Sequence, residues 1–142
     1  MLESYVLWAL LGMASYSATT LLVKLATRTG LPSDIVVAIA TTLVMIACWV
    51  IVILRGQLGT LVQSLTEPSG AWSLACGVTL AVAVTSLFRA LELGPANIVV
   101  PIYGMFIVGG FLLGVFVLGE SISLTKAAGL AAAIASVYLI AA

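Results

Sequence analysis

The 142-residue chain is 63% hydrophobic and 7% charged, with no histidine and a mean hydropathy of +1.33. A water-soluble domain carries roughly 25% charged residues, so this chain cannot clothe itself in a hydrated surface, and its exterior belongs in lipid. Its net charge of zero excludes the electrostatic footprint of a nucleic-acid or anionic-surface binder.

Crossing the hydrocarbon core as a helix takes about 20 apolar residues. Five stretches have that character: residues 5–27, 34–54, 71–93, 96–119 and 124–142. Backbone groups in lipid must be satisfied within their own segment, so helices are predicted rather than strands. The expectation is an all-α polytopic membrane protein with five transmembrane helices in one domain over residues 1–142. Its setting is expected to be the lipid bilayer of a prokaryotic plasma membrane. Glu3 stands where a signal peptide places a basic residue, and the following apolar run is too long for one, so the N-terminal stretch reads as the first span.

The breaks between spans carry turn chemistry: "RTGLPSD", "RGQLGTLVQSLTEPSG", "LGPAN" and "GESIS". Gly30, Gly94 and Gly119 are predicted to end helices, and Pro32, Pro68 and Pro95 cannot continue one. The longest connection, residues 55–70, is expected to lie partly along the interface. Cys48 and Cys76, far apart within apolar runs, read as small packing residues rather than a disulfide or a metal pair.

Polar residues at membrane depth are costly, so their spacing carries information. In span 1, Ser17, Thr20, Lys24 and Arg28 fall at i, i+3, i+7 and i+11, a stripe on one helix face. Such a stripe faces protein or water, while Lys24 taken alone reads as a flanking cation that snorkels to the interface. Span 3 has a matching stripe of Thr79, Ser86 and Arg89, with Thr85 beside it. Arg89 and Glu92 stand at i, i+3 and form a predicted pair. That pair either neutralises two charges at a helix end or anchors a polar or anionic group of a solute.

Gly94-Pro95 is predicted to turn the chain within a very short loop, with Asn97 capping the next helix. Pro101 removes a backbone hydrogen bond inside span 4, so a kink is expected there, with Asn97 and Tyr103 flanking it beside a cavity. Gly109, Gly110 and Gly114 offer a small face for close helix packing, as does Gly129 in span 5. Glu120 reads as a structural acid at the end of span 4. The candidate solute-pathway residues are therefore Ser17, Thr20, Lys24, Ser86, Arg89, Glu92, Asn97, Pro101 and Tyr103.

Several chemistries have no representative. The chain holds no HExxH, no nucleophile elbow and no P-loop, and lacks histidine for an acid–base relay. No catalytic residue, metal site or cofactor is expected, and the chain does not read as an enzyme. No carboxylate lies at mid-depth in any span, which argues against proton exchange on a central acid.

Five spans place the two termini on opposite sides. Arg55 and Lys126 then share the side of the N-terminus, while Lys24, Arg28 and Arg89 lie on the other. Adding the α-amino group equalises the two sides. K/R bias sets orientation in short loops, so a near tie predicts insertion in both orientations.

"ALELGPANIVVPI" followed by "LLGVFVLGESISLTKAAGLAAAIASVYLIA" resembles the later helices of an EamA-like repeat of the drug/metabolite transporter superfamily. The matching features are the Ala-Leu-x-x-Gly-Pro-Ala run, the early proline of helix 4, the Leu-Gly-Glu at its end and the glycine early in helix 5. "WALLGMASYSATTLLVKLA" is similar to the family's first helix. Span 2 has no arginine, and "YGMFIVGG" is glycine-rich where the family often has Ser, Pro and Thr. The resemblance implies a transporter of small organic solutes whose pathway is formed mainly by helices 1 to 4. Members commonly carry two inverted five-helix repeats, with the site between them, and one such set is present in these 142 residues. The implied arrangement is an antiparallel homodimer. Its alternatives are a half-transporter that needs a homologous small membrane subunit, and a non-transporting assembly or regulatory subunit.

Overall fold

The computed structural model describes residues 4–141, and all the regular structure there is helical. In chain order the helices are α1 (Ser4–Arg28), α2 (Ser33–Leu54), α3 (Leu58–Ser64), α4 (Pro68–Leu93), α5 (Ala96–Gly104), α6 (Phe106–Phe116) and α7 (Leu124–Ala141). Helices α1, α2 and α4, and α5 and α6 taken together over Ala96–Phe116, are long and apolar enough to cross a membrane. With its 18 residues, α7 is about 27 Å long at 1.5 Å per residue, just under the ~30 Å hydrocarbon core. A polytopic membrane protein follows.

Hydroxyl residues within the helices satisfy themselves. Ser17 donates to the Met13 carbonyl, Thr20 to that of Ser17, Thr79 to Ala75 and Cys76, and Thr85 to Ala81 and Val82. A side chain that bonds back one turn needs no external partner. The stripes on α1 and α4 therefore place no demand, through these hydroxyls, for a protein or water neighbour.

Two compact units divide between Leu93 and Gly94. In the first, α2 runs back against α1 and α4, and α3 packs on α4. The packing is concentrated at one end of these helices. There Val23, Val37, Leu87, Phe88 and Leu91 are buried, with Leu87 and Leu91 at 1% and 0% exposure. At the opposite end Trp8 and Trp72 are 73% and 79% exposed, and Trp49 and Leu54 are exposed with them. Helix α3 ends directly beneath Gly70, where the Ser64 carbonyl leaves no room for a Cβ.

In the second unit α5 packs on α7. The predicted span 96–119 ends earlier, at Phe116, and is broken at Met105, one turn after Pro101. Pro101 has no N–H to give the Asn97 carbonyl. Around the break the ladder tightens to three-residue bonds, from the Met105 N–H to the Ile102 carbonyl (3.1 Å) and from the Val108 N–H to that of Met105 (2.9 Å). The expected bend is thus a local change of helix type.

One turn assignment is corrected. Gly30, Gly94 and Gly119 all follow helix ends as predicted, but positive φ occurs at Gly30, Gly56 and Gly119, so Gly94 ends α4 without the left-handed conformation that Gly56 takes after α2. Pro95 is the N-cap of α5, and Asn97 lies inside the first turn without capping it. At α7 the capping hydroxyl is that of Ser123, which accepts the Lys126 N–H at 3.2 Å.

Candidate functional site

The packed end of the first unit brings together the last turns of α1 and α4 and the first turn of α2. Lys24, one turn from the end of α1, sends its ammonium to the Leu91 carbonyl at 2.7 Å. That carbonyl lies in the last turn of α4, where backbone acceptors have no intrahelical donor and the helix dipole is negative. The lysine charge is held against a neighbouring helix end. Lys24 thus ties α1 to α4.

A second tie joins α2 to α4. Pro32 precedes α2, and Ser33, its first residue, is 1% exposed. The Ser33 hydroxyl donates to Glu92 Oε2 at 2.5 Å, and Arg89 Nη1 donates to the same oxygen at 2.6 Å. The predicted Arg89–Glu92 pair is therefore formed, and a buried serine from another helix completes it. The arginine side chain remains 57% exposed and the glutamate 26%. With Arg28 and Asp34 on the same helix ends, this end carries three cations against two acids.

Of the other candidates in this unit, Ser17 and Thr20 lie two turns and one turn before Lys24, and Ser86 lies one turn before Arg89; Ser17 and Ser86 are exposed. The groove along α1 and α2, lined by Leu22, Val36, Ala40, Leu43, Phe88 and others with Thr19 as its one polar member, is apolar. Lys24, Ser33, Arg89 and Glu92 are the polar side chains that the packed end brings together.

Asn97, Pro101 and Tyr103 form a separate constellation on α5 in the second unit. Asn97 is exposed and Tyr103 half-buried, its ring edge-on to Phe106 with centroids 5.9 Å apart. The glycines divide. Gly109, Gly110 and Gly129 have nothing among the described residues within 4 Å of where a Cβ would stand. Gly114 is buried, yet not by a helix: the Glu120 carboxylate lies over it, with Oε2 3.2 Å from that Cβ position. The Glu120 N–H also bonds the Gly114 carbonyl at 3.1 Å. Glu120 closes α6, as a helix-end acid, by folding back onto its last turns.

Ser33 is the residue that sequence reasoning missed. It stands 59 positions from its partner, between Pro32 and Asp34, and reads in sequence as turn chemistry.

The model of the EamA-like transporter family matches residues 3–142. The chain belongs to the EamA-like transporter family. It is accordingly an integral membrane protein of the drug/metabolite-transporter type, with the lipid bilayer as its solvent and a small solute as its cargo. The family is one of membrane transport and not an enzyme class. No curated protein and no solved structure matches the chain.

Proposed function

We propose that the chain carries small organic solutes along a pathway formed between two copies inserted in opposite orientations. The Lys24–Ser33–Arg89–Glu92 network lies at one mouth of that pathway. The observation that carries this reading is the uneven packing of α1, α2 and α4. Polar side chains tie them at one end, and large apolar side chains stand exposed along the rest. An exposed guanidinium beside a half-shielded carboxylate offers a contact for an anionic or polar solute group. Both units are read as parts of one five-helix repeat, with α5 and the break at Met105 providing a place to flex.

The second copy is supported by the near-equal K/R distribution and by the family's inverted repeats, whose site lies between them. Reconstitution of the purified chain alone into liposomes, with a screen for solute flux, tests the reading directly. Flux from the chain alone supports it, whereas flux that needs a second, homologous subunit makes the chain half of a heteromer. Single cysteines at each terminus, introduced after Cys48 and Cys76 are replaced, are expected to label from both sides of the membrane. Uniform labelling from one side removes the antiparallel homodimer.

A further inference from the structure

The second unit contains a groove that the transport reading does not use. It has a volume of about 320 Å³ and runs between α6 and α7, at the small end of the ~300–1,000 Å³ typical of ligand cavities. Ile107, Phe111 and Val115 recur every four residues on α6 and form one apolar wall, and Gly129, Leu130 and Ala133 of α7 form the other. The polar lining is confined to one end, where α6 finishes and α7 begins. It consists of Glu120, Ser121 and Lys126.

This mouth is electrically specific. One carboxylate and one ammonium line it, and among the described residues no ion pair joins them. Glu120 is instead seated against the Gly114 backbone, with Oε2 3.2 Å from the position of a Gly114 Cβ. A larger residue at 114 would push the carboxylate away. Lys126 lies in the first turn of α7, the end of a helix dipole that disfavours a cation and favours an anion beside it. The two charges therefore present one acceptor and one donor to whatever enters.

In a membrane, the ends of spanning helices lie at headgroup depth and their middles at acyl depth. The groove has the same polarity along its length: charged at the helix ends, apolar toward the middle. We propose that it is a binding site for a zwitterionic membrane lipid bearing a primary ammonium and a phosphodiester, of the phosphatidylethanolamine class. The lipid ammonium donates to the Glu120 carboxylate, the phosphate accepts from Lys126 and Ser121, and the first methylenes of an acyl chain lie over Phe111 and Leu130. An anionic lipid without an ammonium serves Lys126 but sets a phosphate against Glu120. A lipid with a quaternary ammonium cannot donate hydrogen bonds to that carboxylate. The site is independent of solute transport.

Native mass spectrometry of the purified full chain with added phosphatidylethanolamine, phosphatidylglycerol or phosphatidylcholine tests this. Phosphatidylethanolamine is expected to be retained about tenfold more tightly than either of the others, the ratio that one charge-assisted hydrogen bond supplies. Glu120→Gln should abolish that preference, and Lys126→Gln should weaken all three. Equal or stronger retention of phosphatidylglycerol by the unmodified chain overturns the proposal, and so does a preference that survives Glu120→Gln. Displacement of the lipid by free phosphoethanolamine at equal concentration also overturns it, because the apolar walls would then contribute nothing. The unmodified chain supplies a test free of folding effects: a phosphatidylethanolamine with a photoreactive acyl chain should crosslink to Ile107, Phe111 or Leu130. Adducts confined to residues 4–93 would sink the assignment.

Discussion

The two units solve the same problem by different means. Between α1, α2 and α4 the ties are ionic and polar: an ammonium on a helix-terminal carbonyl, and a serine and an arginine on one carboxylate oxygen. In the second unit the described features are ones of shape, with a helix broken between α5 and α6 after a proline and the Glu120 carboxylate laid over Gly114 of α6. The difference follows from the solvent. Lipid tails are as apolar as leucine, so apolar contact alone gives helices little reason to prefer one another. A polar group that would otherwise be left in hydrocarbon does give such a reason, and so does a glycine that admits close approach. The first unit therefore has a defined, cross-linked end, and the second has a point of bending.

The sharpest way to break this comparison is Arg89→Ala, which is expected to abolish solute flux in liposomes while insertion and expression stay unchanged. The double variant Arg89→Ala with Glu92→Gln removes both charges and separates two roles. Flux that stays absent assigns Arg89 to the solute, while flux near the unmodified level reduces the pair to mutual neutralisation at a helix end.

Pro101→Ala restores the N–H that the Asn97 carbonyl lacks, so α5 and α6 should join into one helix. Transport is expected to slow by about tenfold if the break must flex during the cycle, with insertion and melting temperature preserved or raised. Unchanged kinetics would make the break an ordinary feature of packing.

Much of this architecture is legible in the sequence because lipid enforces it. Each span has to be apolar and helical, so the bounds of α1, α2 and α4 follow from hydropathy to within a few residues. The Arg89–Glu92 pair is legible too, since i, i+3 spacing is a local property of one helix. Ser33 is not legible, because its role depends on α2 and α4 meeting 59 residues apart. Local chemistry also competes: Asn97 has the composition of a cap, but Pro95 with its fixed φ takes that position. The hydroxyls of Ser17, Thr20, Thr79 and Thr85 bond back to their own helices, a local bond that a stripe read along the sequence does not reveal. Gly114 has the spacing of helix packing and instead seats a side chain six residues on.

A smaller effect is expected from Ser33→Ala. It removes one of the two donors to Glu92 Oε2 and leaves a void the size of an oxygen at a site with 1% exposure. The melting temperature in detergent should fall by about 3–5 °C, the scale set by one hydrogen bond in a domain of this size. No fall would show that Arg89 alone holds the carboxylate. Gly114→Ala should be the mildest change. Its Cβ meets the end of a flexible glutamate, so the melting temperature should move by less than about 2 °C. A large drop there would mean that the second unit depends on its carboxylate as the first depends on its ion pair.

The distribution of tryptophan has a practical consequence. Trp8 near the start of α1, Trp49 near the end of α2 and Trp72 near the start of α4 all lie at the loosely packed end of the first unit, and all are exposed. They are the chain's three indoles, and none sits beside the network of Lys24, Ser33, Arg89 and Glu92. Native fluorescence is therefore an optical channel dedicated to one end of the helices. Brominated acyl chains will quench it where lipid lies against that end, and a protein surface docked there will shield it, with no dye or label attached to the chain.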